Sequence, residues 1–272
     1  MTPTPAVKLS LAHLGALEVA PAELIDLAAV AGFASVGLRI MAAAPGGIEY
    51  PLRSTAEQAA LRRRMSATGI SVLYIELVSL GRGMRPADCL PMLEVGANIG
   101  ATRLAVAGDD PDRAIVAERL AELCDLARPF GIAVDIEFMP YRAVRTLADA
   151  IDVVRRAGRP NAHVLVDALH FYRSGSLLAD LAAMDPALVG TFQICDAPRA
   201  APPAEDLVIE ARTRRLFPGA GGLALWPLLD ALPTDTPVGV ELPIAGQFPD
   251  LTPIERASLM VARTRSFLAT RT

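Results

Sequence analysis

Short apolar runs alternate with amphipathic stretches along the whole chain. The runs fall at 8–14, 35–40, 71–80, 103–107, 133–139, 164–167, 190–197 and 237–242, each bounded by turn residues, as buried strands are. Between them, 21–32, 55–69, 86–100, 112–131, 146–158, 177–184, 223–232 and 252–270 carry helical patterns. The first opens on Pro21 and closes on Gly32, Gly69 closes the second, and Asp112 stands where an N-cap belongs. Eight strands strictly alternating with eight helices imply a parallel sheet, and eight such units are the number that closes a (β/α)8 TIM barrel. The main rival is a doubly wound open sheet, which would show a Gly-rich phosphate turn after its first strand. His13-Leu-Gly-Ala-Leu has no such pattern. A length of 272 residues suits one barrel as a single domain over 1–272, and no linker or low-complexity tract divides it. The stretch 198–222 is too long for an ordinary connection and is expected to be functional.

Polar residues interrupt the apolar runs at the carboxyl ends of four consecutive strands: Glu137, Asp167, Gln193 and Glu241. A barrel turns these ends toward one mouth, where catalysis sits. Three carboxylates gathered there raise one another's pKa, and a divalent cation resolves the repulsion. With Gln193 binding through its carbonyl, the ligand set is all oxygen, which favours Mg2+ or Mn2+, with Co2+ or Zn2+ also admissible. Taken singly, each carboxylate is as well explained as a loop cap or ion-pair partner; four at one height are less easily accidental. His170, three residues after Asp167, is placed to bind substrate or move a proton, or is a satisfied structural histidine. Asp196, three after Gln193, either orients a ligand from behind or caps the turn before Pro198. His13, Arg39 and Glu76 stand at the ends of early strands, for substrate hydroxyl or carboxylate groups or for plain solvation at the rim. The run Arg212–Gly221, with Arg215 within it, suits a clamp for an anionic or polyhydroxy substrate; the alternative is a helix end with cations against its dipole.

Composition narrows the picture. Hydrophobic residues make up 52% of the chain and aromatics 5%, so the core has to be aliphatic. A net charge of −4 offers no basic footprint for nucleic acid. Cys89, Cys124 and Cys195 are too few and too far apart for a disulfide framework, and Cys195 has no base spaced to make it a nucleophile. No run reaches the length of a membrane span, and the first eight residues lack the apolar core of a signal peptide. A soluble, cytoplasmic protein is expected, with a small-molecule partner, no nucleic acid and no membrane. A homo-oligomer is compatible with the sequence.

Ile136-Glu-Phe, Val166-Asp-Ala-Leu-His170, Gln193-Ile-Cys-Asp196 and Val240-Glu-Leu, in that order, resemble the xylose isomerase-like TIM barrel family. The resemblance implies that Glu137, Asp167, Gln193 and Glu241 hold a divalent metal. In the family's ketose epimerases the two glutamates also shuttle a proton on opposite faces of the substrate carbon, which marks Glu137 and Glu241, with His170, as catalytic. The third ligand there is usually histidine; here it is Gln193. Gln193-x-x-Asp-Ala-Pro followed by Arg215-Leu-Phe-Pro-Gly looks more like the 3-dehydroshikimate dehydratase branch. Endonuclease IV relatives need further zinc-binding histidines that a chain with three histidines does not supply. The expected function is a metal-dependent sugar (phosphate) isomerase or epimerase acting on an α-hydroxy carbonyl compound through a metal-held enediolate. A dehydratase using the same residue types is the alternative, and a non-catalytic metabolite-binding barrel is the contrasting class.

Overall fold

In the computed structural model, which describes residues 7–43 and 46–271, eight parallel strands close into a barrel in chain order. They are β1 (Leu9–Leu11), β2 (Ser35–Arg39), β3 (Ser71–Leu80), β4 (Arg103–Gly108), β5 (Ala133–Glu137), β6 (Ala162–Asp167), β7 (Val189–Ile194) and β8 (Val238–Val240). Between and after them run α1 (Pro21–Ala31), α2 (Thr55–Thr68), α3 (Leu90–Asn98), α4 (Arg113–Ala127), α5 (Leu147–Ala157), α6 (Ala168–Arg173), α7 (Leu178–Ala182), α8 (Leu207–Thr213), α9 (Leu225–Asp230) and α10 (Pro253–Leu268). Every expected strand is present, and the open sheet is excluded by the pairing of β1 with β8. The differences lie at the ends. Residues 12–14 leave β1 for a short 3-10 turn that carries His13, β8 stops one residue before Glu241, and α4 gives way to a 3-10 turn at Arg128–Phe130. The excursion after β7 is no bare loop: it contains α8.

Aliphatic side chains from strands and helices form the large outer core, as the composition requires. Inside the barrel a smaller cluster gathers Ala12, Tyr74, Leu77, Ala105, Ala107, Met139 and Leu165. Tyr74 lies so close to β2 that a Cβ on Gly37 would sit 2.3 Å from its ring, which is why that strand position lacks a side chain. Register then sets the heights that matter for the mouth. Arg39 stands opposite Glu76, Asp167 opposite Gln193, and Gln193 opposite Gly239. Ser54, Thr146 and Thr252 each close a capping box, so α2, α5 and α10 begin where their sequences prescribe. Among the described residues no helix is long and apolar enough to cross a membrane, and all three cysteines are buried and free.

Candidate active site at the barrel mouth

A cavity of about 360 Å³ opens at the carboxyl ends of the strands, with Glu137, Glu241, His170, Arg215, Arg39 and Glu76 among its lining residues. Asp167 and Gln193 do not line it but make a buried floor behind Arg215 and Glu241: Asp167 accepts from Arg215, and Gln193 Nε2 donates to Glu241 Oε1 at 3.2 Å and lies 3.3 Å from the Tyr74 hydroxyl. Those contacts leave Gln193 Oε1 buried with no partner. An orphaned oxygen among carboxylates is costly unless a cation or donor meets it.

Arg215 dominates the electrostatics. Its guanidinium donates to Asp167 Oδ2 at 2.5 Å, reaches Glu241 Oε2 at 2.9 Å and Cys195 Sγ at 3.3 Å, and is only 1% exposed. Burial works against its charge, but Asp167 and Glu241 overcome that and hold it firmly protonated. Burial also opposes an ionised Asp167, yet the charge of Arg215 and its hydrogen bond, with the His170 backbone N–H at 2.9 Å, keep that carboxyl below its usual value. Glu137 fares differently. Burial, then the charges of Glu241 and Asp167, push it well above the carboxylate range. Burial pushes Glu241 up to about 7 against the pull of Arg215. Three carboxyl groups therefore share one guanidinium: Asp167 ionised, Glu137 and Glu241 pushed toward their protonated forms, and a divalent cation would supply the positive charge that lets them ionise together. Oxygens of Glu137 and Asp167 and a ring nitrogen of His170 lie within 4.8 Å of one another. His170 thus stands beside the oxygen donors, and burial holds its pKa down to about 4, so it is neutral at pH 7. Its Nε2 is 3.6 Å from Glu137 Oε1 and 3.4 Å from the Tyr141 hydroxyl.

Other expected residues take different roles. His13 is fully buried, and backbone uses both its ring nitrogens: Arg39 N donates to Nδ1 at 2.8 Å, and Nε2 meets the Val19 carbonyl at 2.9 Å. It also stacks on Tyr50 with ring centroids 5.2 Å apart, so it belongs to the scaffold and offers the cavity no polar atom. Arg39 and Glu76 do reach the cavity, as a pair that donates from Nε and Nη2 to one carboxylate oxygen at 3.1 and 2.9 Å. Arg215, expected at the substrate, lines the cavity and sits among the carboxylates. Among the described residues the Asp196 carboxylate hydrogen-bonds to no member of the floor. Its carboxylate accepts from the N–H groups of Ala197, Gly219, Gly221 and Leu223, pinning the turn that follows Arg215. A Cβ on Gly221 would lie 2.3 Å from the Ala197 carbonyl oxygen, which explains the glycine. Cys195 is buried, and burial pushes its thiol up to about 12, which suits packing and not nucleophilic work.

Sequence reasoning missed Tyr141 and Arg142, both lining the cavity, and the Arg173–Glu210 pair that ties α8 to α6 at 2.8 Å. Tyr141 had one signal, an aromatic residue in the turn just past a strand that ends on a carboxylate. Arg173 and Glu210 are 37 positions apart, and nothing local links them.

A family model for the xylose isomerase-like TIM barrel matches residues 25–263. The chain belongs to this family. Among its relatives is an inosose isomerase of Bacillus velezensis, 34% identical over 120 residues, 43% of this chain and 40% of that protein. A 3-dehydroshikimate dehydratase of Pseudomonas aeruginosa is 30% identical over 149 residues, 54% of this chain and 23% of that protein. The matched region thus spans well under half of either relative. The structure of the IOLI protein with a bound zinc atom superposes with a TM-score of 0.82 at 20% identity, over 98% of this chain and 99% of that one. At that identity the likeness shows the barrel alone.

Proposed function

We propose that this family member is a divalent-metal-dependent isomerase or epimerase of a small polyhydroxy compound carrying an α-hydroxy carbonyl group. The observation that carries it is the unequal trio at the mouth. Asp167 is held ionised, while Glu137 and Glu241, which line the cavity, are pushed up by burial. The inosose isomerase relatives support the same class.

Glu137, Asp167, Glu241 and Gln193 Oε1 would hold the ion, with His170 uncoordinated beside it, and the all-oxygen set favours Mg2+ or Mn2+. A bound divalent ion would supply Lewis-acid polarisation of the substrate carbonyl. The side chains do the rest. Glu137, which no hydrogen-bond donor holds among the described residues, is the base, once a cation beside it favours its ionised form, for the proton on the carbon beside the carbonyl. Glu241, across the floor, returns a proton from the other side. Neutral His170 relays protons between Glu137 and the Tyr141 hydroxyl. The Arg39–Glu76 pair on the wall offers a donor and an acceptor to substrate hydroxyl groups.

The dehydratase reading keeps a place because of the Pseudomonas aeruginosa relative and because His170 and Tyr141 could protonate a departing hydroxyl. Deuterium entering recovered substrate from heavy water without loss of water favours the isomerase; obligate loss of water favours the dehydratase. Metal analysis with melting curves tests the shared premise. The expected result is about one divalent ion per chain and a clear fall in Tm on chelation, because a ligand of the folded state alone stabilises it. No binding at millimolar Mn2+ or Mg2+, with a Tm indifferent to chelator, sinks both readings and leaves a metabolite-binding barrel.

A further inference from the structure

We infer that Arg215 is a resident counter-ion that sets how tightly the mouth holds a divalent cation. The inference rests on the metal reading above and concerns affinity, which that reading leaves open. Arg215 places one positive charge between two of the proposed ligands, at 2.5 Å from Asp167 Oδ2 and 2.9 Å from Glu241 Oε2. Each of those carboxylates keeps its other oxygen on a weaker partner: Asp167 Oδ1 on the His170 N–H, Glu241 Oε1 on the Gln193 amide. A cation entering there meets donors already half-neutralised and a like charge a few ångströms away.

Arg215 cannot step aside as a surface arginine would. Its Nε donates to the Ala211 carbonyl at 2.8 Å, and its own carbonyl accepts from Gln247 Nε2 at 3.0 Å. The next residue, Leu216, exchanges two backbone hydrogen bonds of 2.8 Å with Asp196. The Asp196 carboxylate gathers the N–H groups of the turn beyond, and the buried Arg173–Glu210 pair anchors α8 from behind. This bracing holds a guanidinium, whose planar fork spans two carboxylates as an ammonium would not. The consequence is a trade. With Arg215 in place the metal-free mouth is stable, and the ion binds less tightly than four oxygen ligands alone would hold it.

The test is calorimetric titration of the purified full chain with Mn2+, with Tm measured alongside, for wild type, Arg215→Met and Arg215→Lys. Arg215→Met is expected to bind Mn2+ at least about tenfold more tightly and to melt lower when metal-free, because the buried carboxylates lose their counter-ion. Arg215→Lys, which keeps the charge, is expected to stay within about threefold of wild type. Should Arg215→Met fail to fold without metal, Arg215→Gln takes its place with the same expected tightening. A merely structural arginine gives the opposite result: all variants bind Mn2+ as wild type does or more weakly. That outcome, with wild type still binding Mn2+, overturns this inference alone. Wild type that binds no Mn2+ overturns the metal reading as well.

Discussion

Asp135 and Glu137 lie two residues apart on the same face of β5, and both point into the barrel. They are similarly buried, at 1% and 6% exposure. Asp135 is matched on every side: Arg103 Nη1 donates to both its oxygens at 2.8 and 3.0 Å, and Thr191 adds a hydroxyl at 2.7 Å. Its fit is close enough that a Cβ on Gly190 would sit 2.5 Å from its carboxyl. Glu137 has no hydrogen-bond donor among the described residues, and its nearest cationic candidate is a histidine held neutral at 3.6 Å. The lower layer thus buries a carboxylate and satisfies it, while the layer above buries a carboxyl beside a cavity with its ionised form disfavoured. Burial alone does not single out a carboxylate as a site candidate; burial without donors beside a cavity is what singles out Glu137.

The largest contrast should come from mutating these two positions. Glu137→Gln removes the proposed base and puts a neutral amide where the metal-free protein already disfavours the ionised carboxylate. Turnover is expected to fall by about 10²- to 10⁴-fold, with the Tm of the metal-free protein unchanged or raised. Asp135→Ala should do the reverse. It strands Arg103 and costs about 3 kcal/mol of stability while turnover per folded molecule persists. Equal losses of activity in the two variants would erase the distinction between the layers.

The two layers also differ in how far the sequence announces them. Eight strand–helix units follow from periodicity, and Glu137, Asp167, Gln193 and Glu241 stand out because each breaks an apolar run at a strand end. The barrel turns equivalent strand ends to one side, so topology does the gathering. Partnerships across the barrel leave no such trace. Arg215 meets Asp167 across 48 positions, and only the folded turn braced by Asp196 brings it there. His13 misled for a related reason. A histidine after a strand looks the same in sequence whether its nitrogens face a cavity or, as here, backbone carbonyl and N–H groups. Asp135 breaks the same apolar run as Glu137, and only its partners on β4 and β7 show that it is structural.

A smaller effect appears in the pH dependence of the metal-free protein. Glu241 is pushed from an ordinary 4.5 to about 7 by burial. Below about 4.5 folded and unfolded chains both hold the proton. As pH rises toward 7 the unfolded chain releases it first, so the folded state loses stability, and the loss levels off once the folded carboxyl has also ionised. Glu241→Gln has no proton to release. Its Tm relative to metal-free wild type should therefore climb by a few degrees between about pH 5 and 7.5 and then stay level. A gap that narrows with rising pH would mean that Arg215, and not burial, governs this carboxyl.

The smallest predicted change probes the edge of the upper layer. The Tyr141 hydroxyl is 3.4 Å from His170 Nε2, a long contact, and the two rings meet edge-on with centroids 5.4 Å apart. Tyr141→Phe keeps the ring contact and removes the hydroxyl, so the loss should be about 1 kcal/mol, roughly a fivefold fall in kcat with little change in Tm. A structural tyrosine would shift Tm instead. If the hydroxyl acts through His170, the fall disappears when Tyr141→Phe is made in a His170→Asn background, because the relay it serves is already gone. A fall of the same size in both backgrounds would make Tyr141 an independent contact to substrate, and Glu137 would then exchange its proton with His170 alone.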